Sequence, residues 1–197
     1  MLIVVEGHTD KDFIELYCKY LEIKIESEQI CQTDGKDNIK SVKEKIHKAL
    51  SRDERVLIVF DADEDAQKSL KNIKEQLVSL NSSWENRCKI FLMPNNKDTG
   101  NLETLLEHIA KEKCILKCFD NYSSCIAGLQ SKNSNIKLPA KKSKVFAYLS
   151  SFGFKNGNKK FKLDKNILDL QNPYLNTLKD FLKGNKAKIK NKQVRNT

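Results

Sequence analysis

Apolar and polar positions follow two alternating periods along the first hundred residues. Leu2-Ile3-Val4-Val5 and Val56-Leu57-Ile58-Val59-Phe60 are continuous, largely β-branched runs, the signature of strands buried on both faces of a parallel sheet. Behind the first run, Thr9 and Asp10 are suitable N-cap residues, and Phe13, Leu16, Tyr17, Tyr20 and Leu21 recur at helical spacing. Glu28 to Thr33 predicts a second strand, Thr33-Asp34-Gly35-Lys36 a turn, and Ile39, Val42, Ile46 and Leu50 the buried stripe of a second helix. Leu70, Ile73, Leu77 and Leu80 mark the helix after the second apolar run. Cys88 to Met93 predicts a fourth strand ending at Pro94-Asn95-Asn96, and Lys97 to Asn101 a loop before a helix carrying Leu102, Leu105, Leu106 and Ile109. Strands alternating with helices in this way predict right-handed crossovers and a parallel, doubly wound α/β sheet.

From about residue 114 onward the pattern predicts no strand. Helices are expected around Ile115 to Gly128 and Ala140 to Phe152, then a Gly/Asn/Lys-rich loop from Phe154 to Lys162 and a short helix from Tyr174 to Leu182. Lys183 to Thr197 holds six basic residues, no acidic one and little to bury, so it is expected to be disordered. The organisation is thus a sheet domain over residues 1–113, a helical basic extension over 114–182 packed on it, and a basic tail over 183–197. At 197 residues the chain has room for one well-buried core with an appendage, hardly for two full domains.

Both apolar runs end in carboxylates: Glu6 closes the first, and Asp61 with Asp63 closes the second. In open α/β sheets the working groups lie beyond the carboxyl ends of the strands, and carboxylates meeting there repel one another unless a hard cation such as Mg²⁺ sits among them. Residues two apart on a strand share a face, so Asp61 and Asp63 are placed to chelate one ion while Ala62 points away. Asp63-Glu64-Asp65 equally suits an acidic turn that caps the following helix. If the first and third strands are neighbours, Glu6 faces the pair, either as a ligand or as a general acid or base whose proton affinity is raised by like charge. Gly7 would let a substrate or ion approach the backbone, or serve an ordinary turn.

Charge changes the picture, because residues 1–129 carry a net −4 and residues 130–197 a net +14. An acidic site joined to a basic third suits a phosphodiester substrate, whose backbone is gripped by cations; a solvated lysine-rich surface is the plainer alternative. Lys141, Lys142, Lys144, Lys159 and Lys160 are the lysines singled out for nucleic acid. The six cysteines form no C-x-x-C pair, which argues against zinc, and Cys114 and Cys118 share a helix face. They are expected to be buried or half-buried free thiols in a reducing compartment. No apolar stretch is long enough to span a bilayer, and the first strand begins without a secretory pattern, so the expected location is cytoplasmic. His8 sits beside Glu6, in reach of a phosphate or simply in solvent; Tyr17, Tyr20, Phe146 and Tyr148 are expected in the core; Trp84 is expected in a loop.

Glu6-Gly7 with Asp10, followed by Asp61-Ala62-Asp63 after an apolar strand, resembles the TOPRIM domain of topoisomerases, bacterial primases, small maturation nucleases and OLD-type nucleases. The resemblance covers about residues 1–110 and is nearest to OLD-type nucleases and small stand-alone TOPRIM proteins of uncharacterised function. It implies a Rossmann-like sheet with Glu6 and the Asp pair on adjacent strands, Mg²⁺ or Mn²⁺ as the ion, and phosphodiester chemistry on DNA or RNA. The segment Leu92 to Glu103 is similar to the part of the OLD pattern that ends in an acid, with Glu103 as the match, and Ser143-Lys144 before Val145-Phe146-Ala147-Tyr148-Leu149 is similar to its later Ser-Lys. By that resemblance Asp61, Asp63 and Glu6 would hold one ion, Glu103 and Asp10 would help hold a second about 4 Å away, and Lys144 would steady the transition-state charge. OLD-type proteins carry an attached ATPase, whereas this chain has no G-x-x-x-x-G-K-[ST] loop, so a nucleotide-driven step would need a separate partner. A binding module that grips nucleic acid or protein without cutting is the rival expectation, as is one half of a defence or toxin pair.

Overall fold

The computed structural model describes residues 1–154 and 163–185. Four parallel strands, β1 (Leu2–Val5), β2 (Ile30–Gln32), β3 (Val56–Asp61) and β4 (Cys88–Met93), lie in the order β2-β1-β3-β4. Registers such as Val5 opposite Val59 and Asp61 opposite Met93 bring the carboxyl ends to one edge. Helices α1 (His8–Tyr20), α2 (Lys43–Ser51), α3 (Ala66–Leu80), the single turn α4 (Trp84–Arg87) and α5 (Leu102–Ile109) connect and cover the strands, and α6 (Lys113–Gln130), α7 (Ser143–Ser150) and α8 (Asn176–Lys183) follow. The protein is therefore α/β with a parallel sheet, as the periodicity predicts, and Rossmann-like, as the resemblance implies.

Strand alternation divides the core in two. Ile3, Val5, Leu57, Val59, Phe91 and Met93 face one side, where they meet α1, α5, α7 and α8. Leu2, Val4, Val56, Ile58 and Phe60 face the other, against Ile46 of α2, Ile73 and Leu77 of α3, and Trp84. The C-terminal helices are thus part of the main core, since Val145, Tyr148, Leu149, Leu178 and Leu182 share the cluster of Ile3 and Val5. Helix α6 is the exception: Leu116 is its one buried residue.

Several local expectations are corrected. The second strand is confined to Ile30–Gln32, and a 3-10 turn at Ile39–Val42 precedes α2. Thr9 and Asp10 lie inside the first turn of α1, whose N-cap is Gly7. Trp84 is buried, with its ring near His47, and is no loop residue. Tyr17 and Tyr148 are core residues, but Tyr20 and Phe146 are exposed, each stacked on a neighbouring ring. All six cysteines are free; Cys18, Cys31 and Cys88 are buried, whereas Cys114, Cys118 and Cys125 are exposed because α6 has so little packed against it. Lys159, Lys160, most of the Phe154 to Lys162 loop and residues 186–197 of the tail lie outside the described residues.

Candidate functional site at the carboxyl ends of the central strands

The chain leaves β1 for α1 on one face of the sheet and leaves β3 for α3 on the other. The gap between these two adjacent strands is therefore the topological switch point, where an open α/β sheet has its natural crevice. Glu6 and Asp61 stand at its lips. The Glu6 carboxylate reaches across and accepts the Asp61 backbone N–H at 2.8 Å, in effect extending the β1–β3 ladder by a side chain. Asp61 in turn accepts the N–H of Leu102 at 3.0 Å, which sets its carboxylate at the N-terminus of α5. Asp10 bends back to accept the Gly7 N–H at 3.1 Å, and a β-carbon at Gly7 would lie a tight 3.3 Å from that same carboxylate oxygen.

Glu103, in the first turn of α5, completes the group; Asn101 caps that helix by accepting the Thr104 N–H at 3.0 Å. Burial first, and then the charges of Asp10, Glu6 and Glu103, together raise the Asp61 carboxyl to about 8, against the lowering effect of the Leu102 N–H. Glu6 is raised to about 7 by burial, opposed by its bond to Asp61, with Asp10 and Asp63 adding repulsion. Asp10 is raised to about 6, again chiefly by burial, with Glu103 contributing. Over this group lies Lys142, at the N-cap of α7, its Nζ 3.0 Å from Glu103. Desolvation would lower its proton affinity, but Glu103, Asp61 and Asp10 outweigh that and raise it.

Asp63 belongs elsewhere. Strand β3 stops at Asp61, Ala62 is fully buried, and Asp63 takes a left-handed φ of 54°. Its backbone forms a two-bond bridge with Gly100, at 2.8 and 2.7 Å, where a β-carbon on Gly100 would collide with Thr104. The alternation that was to put Asp61 and Asp63 on one face therefore ends between them, and the Asp63 carboxylate pairs with Lys36 at 2.5 Å. Asp65 caps α3 by accepting the Lys68 N–H at 3.0 Å, so the acidic-turn reading of Asp63-Glu64-Asp65 holds for Asp65. Among the described residues, no three His, Cys, Asp or Glu side chains converge closely enough to hold an ion as they stand.

Of the candidate lysines, Lys141 lies in solvent against Glu64 at 3.1 Å, and Lys144 bridges Glu107 of α5 at 3.3 Å and Asp120 of α6 at 2.8 Å. Lys142 rather than Lys144 is the lysine at the carboxylates. A surface cleft of about 390 Å³ runs from Asp63 and Glu64 past Glu103 to Lys141 and Lys142. His8 faces solvent beside Asp12. Lys36 is the residue that the sequence pattern did not single out; its turn follows a strand end, but only the order β2-β1-β3 brings it to the acids.

Fold and site together define a Rossmann-like α/β protein with a crevice of carboxylates at the switch point of its sheet. The chain belongs to the family described as "Protein of unknown function (DUF3226)", whose family model matches residues 1–185. Comparison with curated proteins and with solved structures finds no match.

Proposed function

We propose that this chain is a Mg²⁺-dependent phosphodiester hydrolase acting on nucleic acid, with Mn²⁺ able to replace Mg²⁺. The observation that carries the reading is the meeting of Glu6, Asp10, Asp61 and Glu103, from four separate elements, at the switch point, where three of them are held well above the ordinary carboxylate range. The donor chemistry fits the ion: all are hard oxygens, and their mutual repulsion is relieved by a divalent cation more completely than by one lysine. Asp10, Asp61 and Glu103 would hold it, after closing in from the positions they take here. When bound, Mg²⁺ polarises a phosphoryl oxygen and acidifies water.

The remaining roles fall to the chain. Glu6, with a proton affinity near neutrality, suits a general base: it takes the proton of the attacking water as the new P–O bond forms and the opposite ester P–O bond breaks. Lys142 steadies the charge that builds on the phosphoryl oxygens, the role that the TOPRIM likeness assigned to Lys144. The cleft beside Glu103, with Lys141 and Lys142 at its rim, is the proposed track for the DNA or RNA backbone. We place the activity in the cytoplasm, working alone or beside a separate ATPase.

A second reading, a nucleic-acid binding module that cuts nothing, is favoured by one observation: each carboxylate of the group already holds a donor of the protein itself. One experiment separates the two. Labelled single-stranded DNA, duplex DNA and RNA are incubated with the protein in Mg²⁺, in Mn²⁺ and in EDTA. Cleavage that needs the ion and disappears in Asp61→Asn supports the hydrolase; salt-sensitive binding that is indifferent to EDTA, without cleavage, overturns it.

A further inference from the structure

We propose that Lys36 takes the place of a second divalent cation at Asp63, so that the site holds one ion and one fixed ammonium instead of two ions. The inference rests on the divalent-cation reading above and sharpens it. Lys36 lies between β2 and α2, and its Nζ meets the Asp63 carboxylate from 27 residues away in sequence. Its field also reaches Glu6.

This lysine is aimed by its surroundings. Gly35 donates its N–H to the carbonyl of Glu6 at 3.2 Å, so the turn is tied to the end of β1. Gln76 of α3 donates to the Lys36 carbonyl at 2.8 Å, and Asn72 of the same helix donates to Asp37 at 2.5 Å. Within the turn, Thr33 donates to the carbonyl of Gly35 at 2.8 Å and Asn38 to the carbonyl of Thr33 at 2.7 Å. The base of the lysine stem is thereby fixed against both the strand that carries Glu6 and the helix beyond Asp63. The backbone that carries the partner carboxylate is held too, by the two-bond bridge between Asp63 and Gly100. The ammonium itself is half exposed, so it is this backbone frame and the Asp63 pair that aim it.

The frame has a consequence for charge. Asp10, Asp61 and Glu103 face one another and Lys142, whereas Asp63 faces Glu6 and Lys36. An ammonium on Asp63 both occupies the carboxylate that a second ion would need and sets a positive charge where that ion would sit, and like charges at such range repel. A phosphate bound in the crevice would then meet one ion, held by Asp10, Asp61 and Glu103, and the Lys36 ammonium paired with Asp63.

The test is a Mn²⁺ titration of the full chain at about pH 8, followed by calorimetry and by the electron paramagnetic resonance of free Mn²⁺. The wild type is expected to bind one Mn²⁺, and Lys36→Met and Lys36→Gln two, with the added ion lost again when Asp63→Asn is combined with either. Lys36→Arg, which keeps the charge, stays at one. Melting curves establish that the variants fold. Two ions in the wild type, or one in both neutral Lys36 variants, overturns the assignment of Lys36 while leaving the metal reading intact. A folded wild type that binds no Mn²⁺ overturns the metal reading and this inference with it.

Discussion

Asp61 and Asp63 are the same kind of residue two positions apart, yet they serve different regions of the molecule. Asp61 ends β3, looks toward α1 and α5, and is held proton-hungry by burial and by three neighbouring acids. Asp63 sits past the end of the strand in a left-handed turn, looks toward the connection before α2, and is neutralised by Lys36. What separates them is one backbone event, the end of strand geometry after Asp61, which cancels the two-residue repeat just where chelation depends on it. The lesson is that a D-x-D at a strand end reports one buried acid reliably, and the second only if the strand continues.

The widest contrast should appear in catalysis. Asp61→Asn is expected to lower the cleavage rate at saturating Mg²⁺ by about 1,000-fold, the equivalent of roughly 4 kcal/mol at the transition state. Asp63→Asn, whose carboxylate is already answered by Lys36, should cost no more than about 10-fold, or roughly 1.4 kcal/mol. Initial rates on a fluorescent oligonucleotide measure both, and equal losses would erase the distinction between the two acids.

Next in size is Lys142. Its removal takes away the one described ammonium beside Glu103, Asp61 and Asp10, so Lys142→Met should reduce kcat by roughly 100-fold, the usual scale for losing a donor aimed at developing charge. KM for a short substrate should change far less. A loss confined to KM would make Lys142 a substrate grip and leave the chemistry to the carboxylates.

Stability against pH tests the same comparison without any substrate. In the metal-free protein Glu6, Asp10 and Asp61 titrate near 7, 6 and 8, above their ordinary values, so the folded chain retains protons that the unfolded chain has already released. Stability from these groups is full below about pH 4 and is lost as pH rises toward 8. Asp61→Asn keeps an oxygen for the Leu102 N–H and drops the charge, so in EDTA at pH 8 it should melt above the wild type, by roughly 3–6 °C, with the gap narrowing as pH falls and closing only below about pH 4. Asp63→Asn should show no such gain, because it strands Lys36. Circular dichroism melts across that pH range are sufficient, and a gap independent of pH would contradict the assigned proton affinities.

The strands, their parallel order of crossovers and the terminal acids were legible because burial on both faces forces continuous apolar runs, as in β1 and β3. Cys88–Met93 is recovered residue for residue although β4 is an edge strand with Lys89 exposed, because Pro94-Asn95-Asn96 marks where its apolar run stops. The partners of the acids were not legible, since strand order decides them: Lys36 reaches Asp63 only because β2 lies beside β1. Helix α7 begins within a few residues of expectation, but which of its lysines faces the crevice depends on its rotation, set by Val145, Tyr148 and Leu149 entering the core. With those three buried, Lys142 is left over Glu103 and Lys144 turns to α6.

Lys144 therefore gives the smallest and most discriminating effect. Its ammonium joins Glu107 of α5 to Asp120 of α6, and Leu116 is the only residue that α6 buries, so this link supplements the packing of α6 on α7 and of Ile115 on the core. Partly exposed ion pairs contribute about 1 kcal/mol at most, and two sharing one lysine do not add fully. Lys144→Met should lower the melting temperature by roughly 2–4 °C and raise amide exchange along α6, while kcat and Mn²⁺ affinity stay at wild-type values. Should kcat instead fall as far as in Lys142→Met, with α6 exchange unchanged, the division of labour between the two lysines would have to be reversed, and the crevice would have to open toward α6 rather than toward Glu103.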